Sequence, residues 1–221
     1  MATEIGDLAP LARLLSAYAG GRAARHRLIW AYDARLADIV RTTSEPLIGQ
    51  MRLTWWYEVL TDEAGVKGRG DPLIAALRAE GLAGAAQGGL LAMIDGWEAL
   101  LDAAPIDDDA LGLFGAQRGG GLFRALAGED ALPAWAEAAG TVWALWDLAG
   151  HVSDPAVAAR AMARALPLLP TIPRGGWAPG WRPLRIAYGL ARHDVIAGRR
   201  PASALTPRLY ARLLGIALFR R

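Results

Sequence analysis

The stretch of sequence that decides the fold runs from Ile29 to Leu60 and reads IWAYDARLADIVRTTSEPLIGQMRLTWWYEVL. Apolar side chains recur in it at intervals of three and four residues, which is typical of one face of an α-helix. A Thr-Thr-Ser-Glu-Pro segment interrupts this pattern, and proline is well tolerated in the first turn of a helix. The stretch therefore predicts two helices that meet at a short turn just before Pro46.

The rest of the chain continues the helical pattern. The good helix formers Ala, Leu and Arg are abundant, whereas alternating runs of Val, Ile and Thr, which are typical of strands, are absent. Asp71-Pro72, Asp154-Pro155 and Thr206-Pro207 each place a capping residue before a proline, which marks a helix start. We therefore predict an all-α, multi-helix bundle that forms a single domain over residues 1–221. The predicted helices lie near residues 8–19, 22–42, 46–62, 72–81, 88–102, 108–127, 131–150, 155–168, 181–198 and 207–219.

Composition excludes several classes of protein. Of the 221 residues, 53% are hydrophobic and 21% are charged, which excludes a disordered chain. The formal net charge is only +2, which does not indicate a nucleic-acid-binding protein. The chain has no cysteine, so disulfides and thiolate metal sites are excluded.

The location of the protein is also predicted from composition. Met1 to Pro10 lacks the basic start and apolar core of a signal peptide. No uncharged apolar run approaches the roughly 20 residues that cross a bilayer. We therefore expect a cytoplasmic protein, for which peripheral contact with the inner membrane stays open.

A specific order of residues surrounds the predicted turn. Glu45-Pro46, Gly49, Arg52 and Trp55-Trp56 follow the pattern EP-x-x-G-x-x-R-x-x-W-W. This pattern resembles squalene/phytoene synthase-like proteins, and it is closest to the branch similar to the mitochondrial complex I assembly factor of that family. The resemblance implies an isoprenoid-synthase-like bundle around a central apolar cavity. Further segments that agree in order and approximate spacing are Asp71-Pro72-Leu73, Leu90 to Asp102, Arg118 to Leu126, Arg182-Pro183-Leu184 and Ala191 to Asp194.

Enzymes of this family join two prenyl diphosphates head to head. Ionising a diphosphate requires Mg²⁺, and Mg²⁺ takes oxygen ligands, so two acidic clusters must face each other across the cavity. At the first cluster position only Asp38 remains, and Arg41 brings a positive charge there. Asp33 lies about 140° around the helix and cannot simply replace a lost ligand. At the second position only Asp147 remains, and His151 stands one turn later.

Other residues are candidates for weaker roles. Asp95 and Glu98 begin an acidic stripe that continues to Asp102, which is either a weak metal site or a solvated helix face. Arg41 and Arg52 can bind a phosphate group, because guanidinium is suited to bidentate phosphate contacts. Trp56 is four residues beyond Arg52, so the indole and the guanidinium can stack on one face. Tyr32 and Trp56 complete the candidate substrate-binding set.

Three functions remain open from the sequence. The first is a non-catalytic family member that binds an isoprenoid or other lipid and assists in assembling a respiratory complex. The second is an active Mg²⁺-dependent head-to-head prenyl-diphosphate transferase with a sparse metal site. The third is a lipid-binding module with no role in assembly. We expect no cofactor unless the second holds, in which case Mg²⁺ is required.

Overall fold

The computed structural model describes residues 8–84, 88–102, 105–129, 131–201 and 206–218. Within these residues the regular structure is helical and no strand is present, which confirms the all-α prediction. No helix in the same ranges combines the length and the apolar character needed to cross a membrane. The segment Met1 to Asp7, which bears on the signal-peptide expectation, lies outside the described residues.

The helices follow the predicted order and differ by a few residues at their ends. Two spans are less regular than predicted: residues 108–127 contain a π-helical segment, Gly115–Gly119, and residues 166–171 form a 3₁₀-helix. The α-helices are α1 (Pro10–Ala17), α2 (Ala23–Thr42), α3 (Pro46–Thr61), α4 (Pro72–Ala79), α5 (Gly88–Asp102), α6 (Asp108–Phe114), α7 (Gly120–Ala127), α8 (Ala134–His151), α9 (Pro155–Ala165), α10 (Arg182–Ile196) and α11 (Pro207–Leu218).

The predicted caps begin their helices. An Asp71 carboxylate oxygen accepts hydrogen bonds from the Leu73 and Ile74 amides at 2.8 and 3.2 Å. Asp154 caps α9 by accepting from the Ala156 amide at 2.8 Å, and the Thr206 hydroxyl accepts from the amide of Leu209 at 3.2 Å. These side chains satisfy amide groups that have no partner within the helix, which fixes where each helix starts.

The centre of the bundle is the π-helical segment between α5 and α8. On its α5 side lie α2, α3 and α6, on its α8 side lie α9 and α10, and α7 packs against both α5 and α8. Gly119 and Gly140 make the crossing with α8 close, because a Cβ on either residue would overlap the backbone of the other. This close approach brings the side chain of Arg118 into the interior, where it is 3% exposed.

Candidate functional site

The most unusual feature of the interior is a buried ion-pair cluster centred on Arg118. Its Nε and Nη2 donate to the two carboxylate oxygens of Asp33 at 2.9 and 2.7 Å. The same Nη2 lies 2.9 Å from Oδ2 of Asp147. α2 supplies Asp33, the π-helical segment supplies Arg118 and α8 supplies Asp147, so the cluster joins three elements of the bundle.

Aromatic rings enclose the Arg118 guanidinium. Its central carbon lies 4.5 Å from the ring centre of Trp97, 4.9 Å from that of Trp143 and 5.3 Å from that of Phe114. Trp97 also donates from Nε1 to Asp33 at 3.0 Å. Each ring presents a negative face to the cation, and the rings exclude water from it. The cation is therefore held by packing as well as by charge.

The electrostatics of the cluster favour a permanently charged Arg118. Burial alone would lower the pKa of the guanidinium, but the carboxylates of Asp33 and Asp147 more than offset it and raise that pKa above its usual value. Asp33 is as buried as Arg118, whereas the Asp147 side chain keeps 21% of its surface exposed. The buried charges of Arg118 and Asp33 therefore neutralise one another, and Asp147 adds a second carboxylate that keeps part of its contact with solvent.

The hydrogen-bonding groups that remain unused in the cluster are donors. Nη1 of Arg118 and Nε1 of Trp143 are buried and have no hydrogen-bond partner among the described residues. Mg²⁺ requires oxygen ligands, and those of Asp33 and Asp147 already face a guanidinium. The residues at this place do not fit a Mg²⁺ ion.

The predicted position of the first acidic cluster lies at the surface. Asp38 and Arg41 form an ion pair at 2.6 Å on the last turns of α2, with side chains that are 56% and 76% exposed. Asp147 pairs with Arg118 in the interior, and its backbone oxygen contacts Nδ1 of His151 at 2.8 Å. The structure therefore does not bring Asp38 and Asp147 together as two facing ligands.

The substrate-binding candidates separate into core and surface residues. Tyr32 is fully buried, donates from its hydroxyl to the Leu90 carbonyl at 3.2 Å, and meets Trp56 edge-on with ring centres 5.4 Å apart. Burial, with the charges of Asp33 and Asp95, raises the pKa of Tyr32 well above its usual range. Arg52 is exposed and donates to the hydroxyl of Thr43 at 3.0 Å, whereas the indole of Trp56 is buried.

The acidic stripe of α5 does not form a metal site within the described residues. Asp95 is exposed, Glu98 is half-buried and has a partner of its own, and the side chain of Asp102 is not described. Neighbouring protein atoms remove part of the hydration of the Asp95 carboxylate, which raises its pKa. No group of three or more Asp, Glu or His side chains comes together in the part of the chain that the structure describes.

Sequence reasoning did not single out Arg118, Asp33 and Trp97 as the central cluster. A signal for Arg118 exists: the residue precedes three glycines and an apolar segment, Gly119 to Phe123. A charged residue in such a setting is buried only when it is paired. The identity of its partners carries no local signal, because Asp33 lies 85 residues away in the chain.

Comparisons with protein-family models, with curated proteins and with solved structures find no match to this chain. The resemblance to squalene/phytoene synthase-like proteins therefore depends on the residue order between Glu45 and Trp56 and on the shorter segments that agree with it. Membership of that family stays a prediction.

Proposed function

We propose that this chain is a squalene/phytoene synthase-like protein that acts by binding rather than by catalysis. Its ligand is an isoprenoid or other lipid, and its partner is an intermediate in the assembly of a respiratory complex. The observation that carries the proposal is the ion pair of Arg118 with Asp33 and Asp147. The proposal includes an isoprenoid-synthase-like bundle, with Arg118 and its aromatic neighbours in the part of the central cavity where a metal-bound diphosphate would lie.

The charge of Arg118 works against the chemistry of the enzymatic family members. A divalent cation beside Asp147 would meet a guanidinium 2.9 Å from that carboxylate, and two cations at such distances repel strongly in a water-poor interior. The first acidic position, Asp38, is paired with Arg41 at the surface. Neither carboxylate is placed to hold Mg²⁺ against a diphosphate.

A binding role is supported by an apolar face on α3. Leu47, Ile48 and Met51 are 67%, 46% and 65% exposed, and Trp55 is 39% exposed. Leu47, Met51 and Trp55 are spaced by four residues, so they line one side of the helix. A contiguous exposed apolar patch of this kind usually marks an interaction surface, and we assign it to the assembly partner.

The test of catalysis is incubation with farnesyl and geranylgeranyl diphosphate in the presence of Mg²⁺. The release of pyrophosphate is measured beside an active squalene synthase as a positive control. We expect no release above that of a sample without protein. Turnover that disappears in Asp38→Ala would overturn the proposal and favour the active prenyltransferase.

The test of the binding role uses the source organism. We expect deletion of the gene to lower the amount of assembled respiratory complex I on a native gel, and the wild-type gene to restore it. A normal level of the complex, with a lipid that co-purifies with the protein, would instead favour a lipid-binding module that has no role in assembly.

A further inference from the structure

A basic cleft lies at the side of the bundle formed by α10, α11 and the loop of residues 172–177. Its volume is about 690 Å³, which is within the range of ordinary small-molecule sites. Arg185, Gly189, Arg192 and Ile196 follow one another at intervals of four, three and four residues, so a single face of α10 forms the floor. Gly189 lets α11 approach closely, because a Cβ there would contact Ile216 at 2.9 Å.

The cleft carries an excess of positive charge. Among the described residues that line it there is no Asp or Glu. Asp194, buried behind the cleft wall, lies 2.7 Å from Arg212 and 3.6 Å from Arg199, and it also accepts from Trp146 at 3.2 Å. Asp194 is therefore the carboxylate partner of Arg199 and Arg212. The basic side chains that line the cleft are Arg174, Arg185, Arg192, His193, Arg199 and Arg212.

One wall of the cleft is aromatic. Trp177 stacks on Tyr188 with ring centres 5.7 Å apart and an interplanar angle of 26°. Trp135 supports Trp177 from behind in an edge-on contact at 5.0 Å. Ile172 and Ile216 extend the apolar surface. A ligand in this cleft would meet both guanidinium groups and aromatic rings.

Tyr188 points independently to a polar ligand group. The residue is 5% exposed, and its hydroxyl has no hydrogen-bond partner of normal geometry among the described residues. Burial raises the pKa of this hydroxyl, while the nearby guanidinium of Arg192 opposes that rise. The guanidinium of Arg192 is a donor only, so it cannot accept the hydroxyl proton. A buried donor without an acceptor is costly, and an anionic oxygen held by Arg192 would accept this hydrogen bond.

We propose that this cleft binds a phosphate-bearing amphiphile. The phosphate oxygens accept hydrogen bonds from Arg192, Arg174 and the Tyr188 hydroxyl, and the apolar part lies along Trp177 and Ile216. Arginine suits this role because its planar donors match phosphate geometry. The inference goes beyond the proposed function and does not depend on it, because none of the residues around Arg118 lines the cleft. The same headgroup chemistry is offered by a lipid in a membrane and by a free alkyl phosphate.

The experiment compares two soluble probes with one membrane probe. Dodecyl phosphate below its micellar concentration and inorganic pyrophosphate are titrated by calorimetry. Co-sedimentation measures binding to phosphatidylcholine vesicles with and without about one-fifth phosphatidic acid. If the ligand is a membrane lipid, the acidic vesicle surface also attracts the basic cleft, and this attraction weakens with salt. The cleft variant combines Arg174→Gln with Arg192→Gln. The matched control combines Arg27→Gln with Arg69→Gln, which removes the same charge from exposed positions outside the cleft.

We expect the cleft variant to lose about tenfold or more in affinity and the control to stay near the wild type, because a hydrogen bond to a charged group contributes that much. Tyr188→Phe keeps the ring stack and should weaken binding without changing the fold, which circular dichroism checks. Binding of dodecyl phosphate identifies a free ligand, and binding to acidic vesicles alone identifies a membrane lipid. The proposal is overturned if neither dodecyl phosphate nor the acidic vesicles bind, if pyrophosphate binds as tightly as dodecyl phosphate, or if the cleft variant binds as tightly as the control.

Discussion

Arg118 and Asp33 lie 85 residues apart in the chain and form a two-pronged ion pair in the interior, with Nε–Oδ1 at 2.9 Å and Nη2–Oδ2 at 2.7 Å. The pair joins α2 to the π-helical segment that faces α8. Both side chains are at least nine-tenths buried, so each charge depends on the other for its solvation. The same guanidinium also pairs with Asp147, the carboxylate that remains at the second predicted acidic position.

Arg118→Gln tests this contact. The substitution leaves the Asp33 carboxylate buried without its cation, and removing one member of a buried pair costs about 3–5 kcal/mol. We expect the free energy of unfolding in urea to fall by that amount, with the far-ultraviolet circular dichroism unchanged at low denaturant.

Arg41→Gln is the matched control for Arg118→Gln. It removes a cation from the Asp38 ion pair, whose side chains are both more than half exposed. An exposed pair contributes about 0–1 kcal/mol. Equal losses in the two variants would contradict the structural role that we assign to Arg118.

The helices could be predicted from the sequence because their signals are local. Asp71 and Asp154 cap their helices as expected, because a capping Asp followed by Pro indicates a helix start without reference to distant residues. The boundary after Phe114 was less predictable. The π-helical segment keeps helical composition and differs only in its hydrogen-bond spacing, which no residue pattern marks.

The candidate site was harder to predict because it depends on distant partners. Asp38 and Arg41 are three residues apart, but whether their side chains face solvent or the interior depends on how α2 packs. Asp33 lies about 140° around α2 from Asp38, which makes it a poor substitute for a lost metal ligand. The same difference in direction turns Asp33 toward Arg118. The spacing of Asp33 and Asp38 predicts that their carboxylates point in different directions from α2. Only the fold shows which of them points into the interior.

The crossing of the π-helical segment with α8 predicts a strong effect of a single methyl group. In Gly119→Ala the new Cβ would overlap the carbonyl oxygen and carbonyl carbon of Gly140. Both are backbone atoms, which cannot rotate away as a side chain can. Overpacking of a core typically costs about 1–3 kcal/mol, and we expect a value at the upper end. Differential scanning calorimetry measures the fall in Tm.

Gly175→Ala is the control for Gly119→Ala. A Cβ on Gly175 would meet no atom within 4 Å, so we expect a Tm near that of the wild type. An unchanged Tm for Gly119→Ala would show that the two segments are further apart in solution than in the structure.

The apolar face of α3 predicts a separation of stability from partner binding. Leu47→Gln with Met51→Gln removes two side chains that are 67% and 65% exposed. Such surface changes usually alter the free energy of unfolding by no more than about 0.5 kcal/mol. We expect the Tm to stay constant while the variant fails to restore complex I in a deletion strain.

A matched pair of exposed apolar residues outside α3 serves as the control for this surface. Val66→Gln with Leu166→Gln changes side chains that are 55% and 51% exposed. This control should restore complex I. Restoration by the α3 variant as well would argue against α3 as the contact surface.

His26 predicts how stability depends on pH. It lies within α2, and its burial, with the charge of Arg22, lowers its pKa to about 4. In the unfolded chain the imidazole titrates near its usual value of about 6.5, so the unfolded state binds more protons between these two values. Stability is therefore complete above about pH 6.5 and falls as the pH drops toward about 4.

The size of this effect follows from the same two values. About pH 5 lies roughly 1.5 units below the pKa of the imidazole in the unfolded chain, so the unfolded state is protonated there while the folded state is mostly not. This difference lowers the free energy of unfolding by about 2 kcal/mol relative to about pH 7.5. Urea titrations at the two pH values measure it, with His26→Leu beside the wild type. The variant lacks the titrating group, so its free energy of unfolding should fall by about 2 kcal/mol less than that of the wild type between the two pH values. This comparison does not depend on how stable the variant itself is. An equal pH dependence in the wild type and His26→Leu would mean that His26 is accessible to protons in the folded protein.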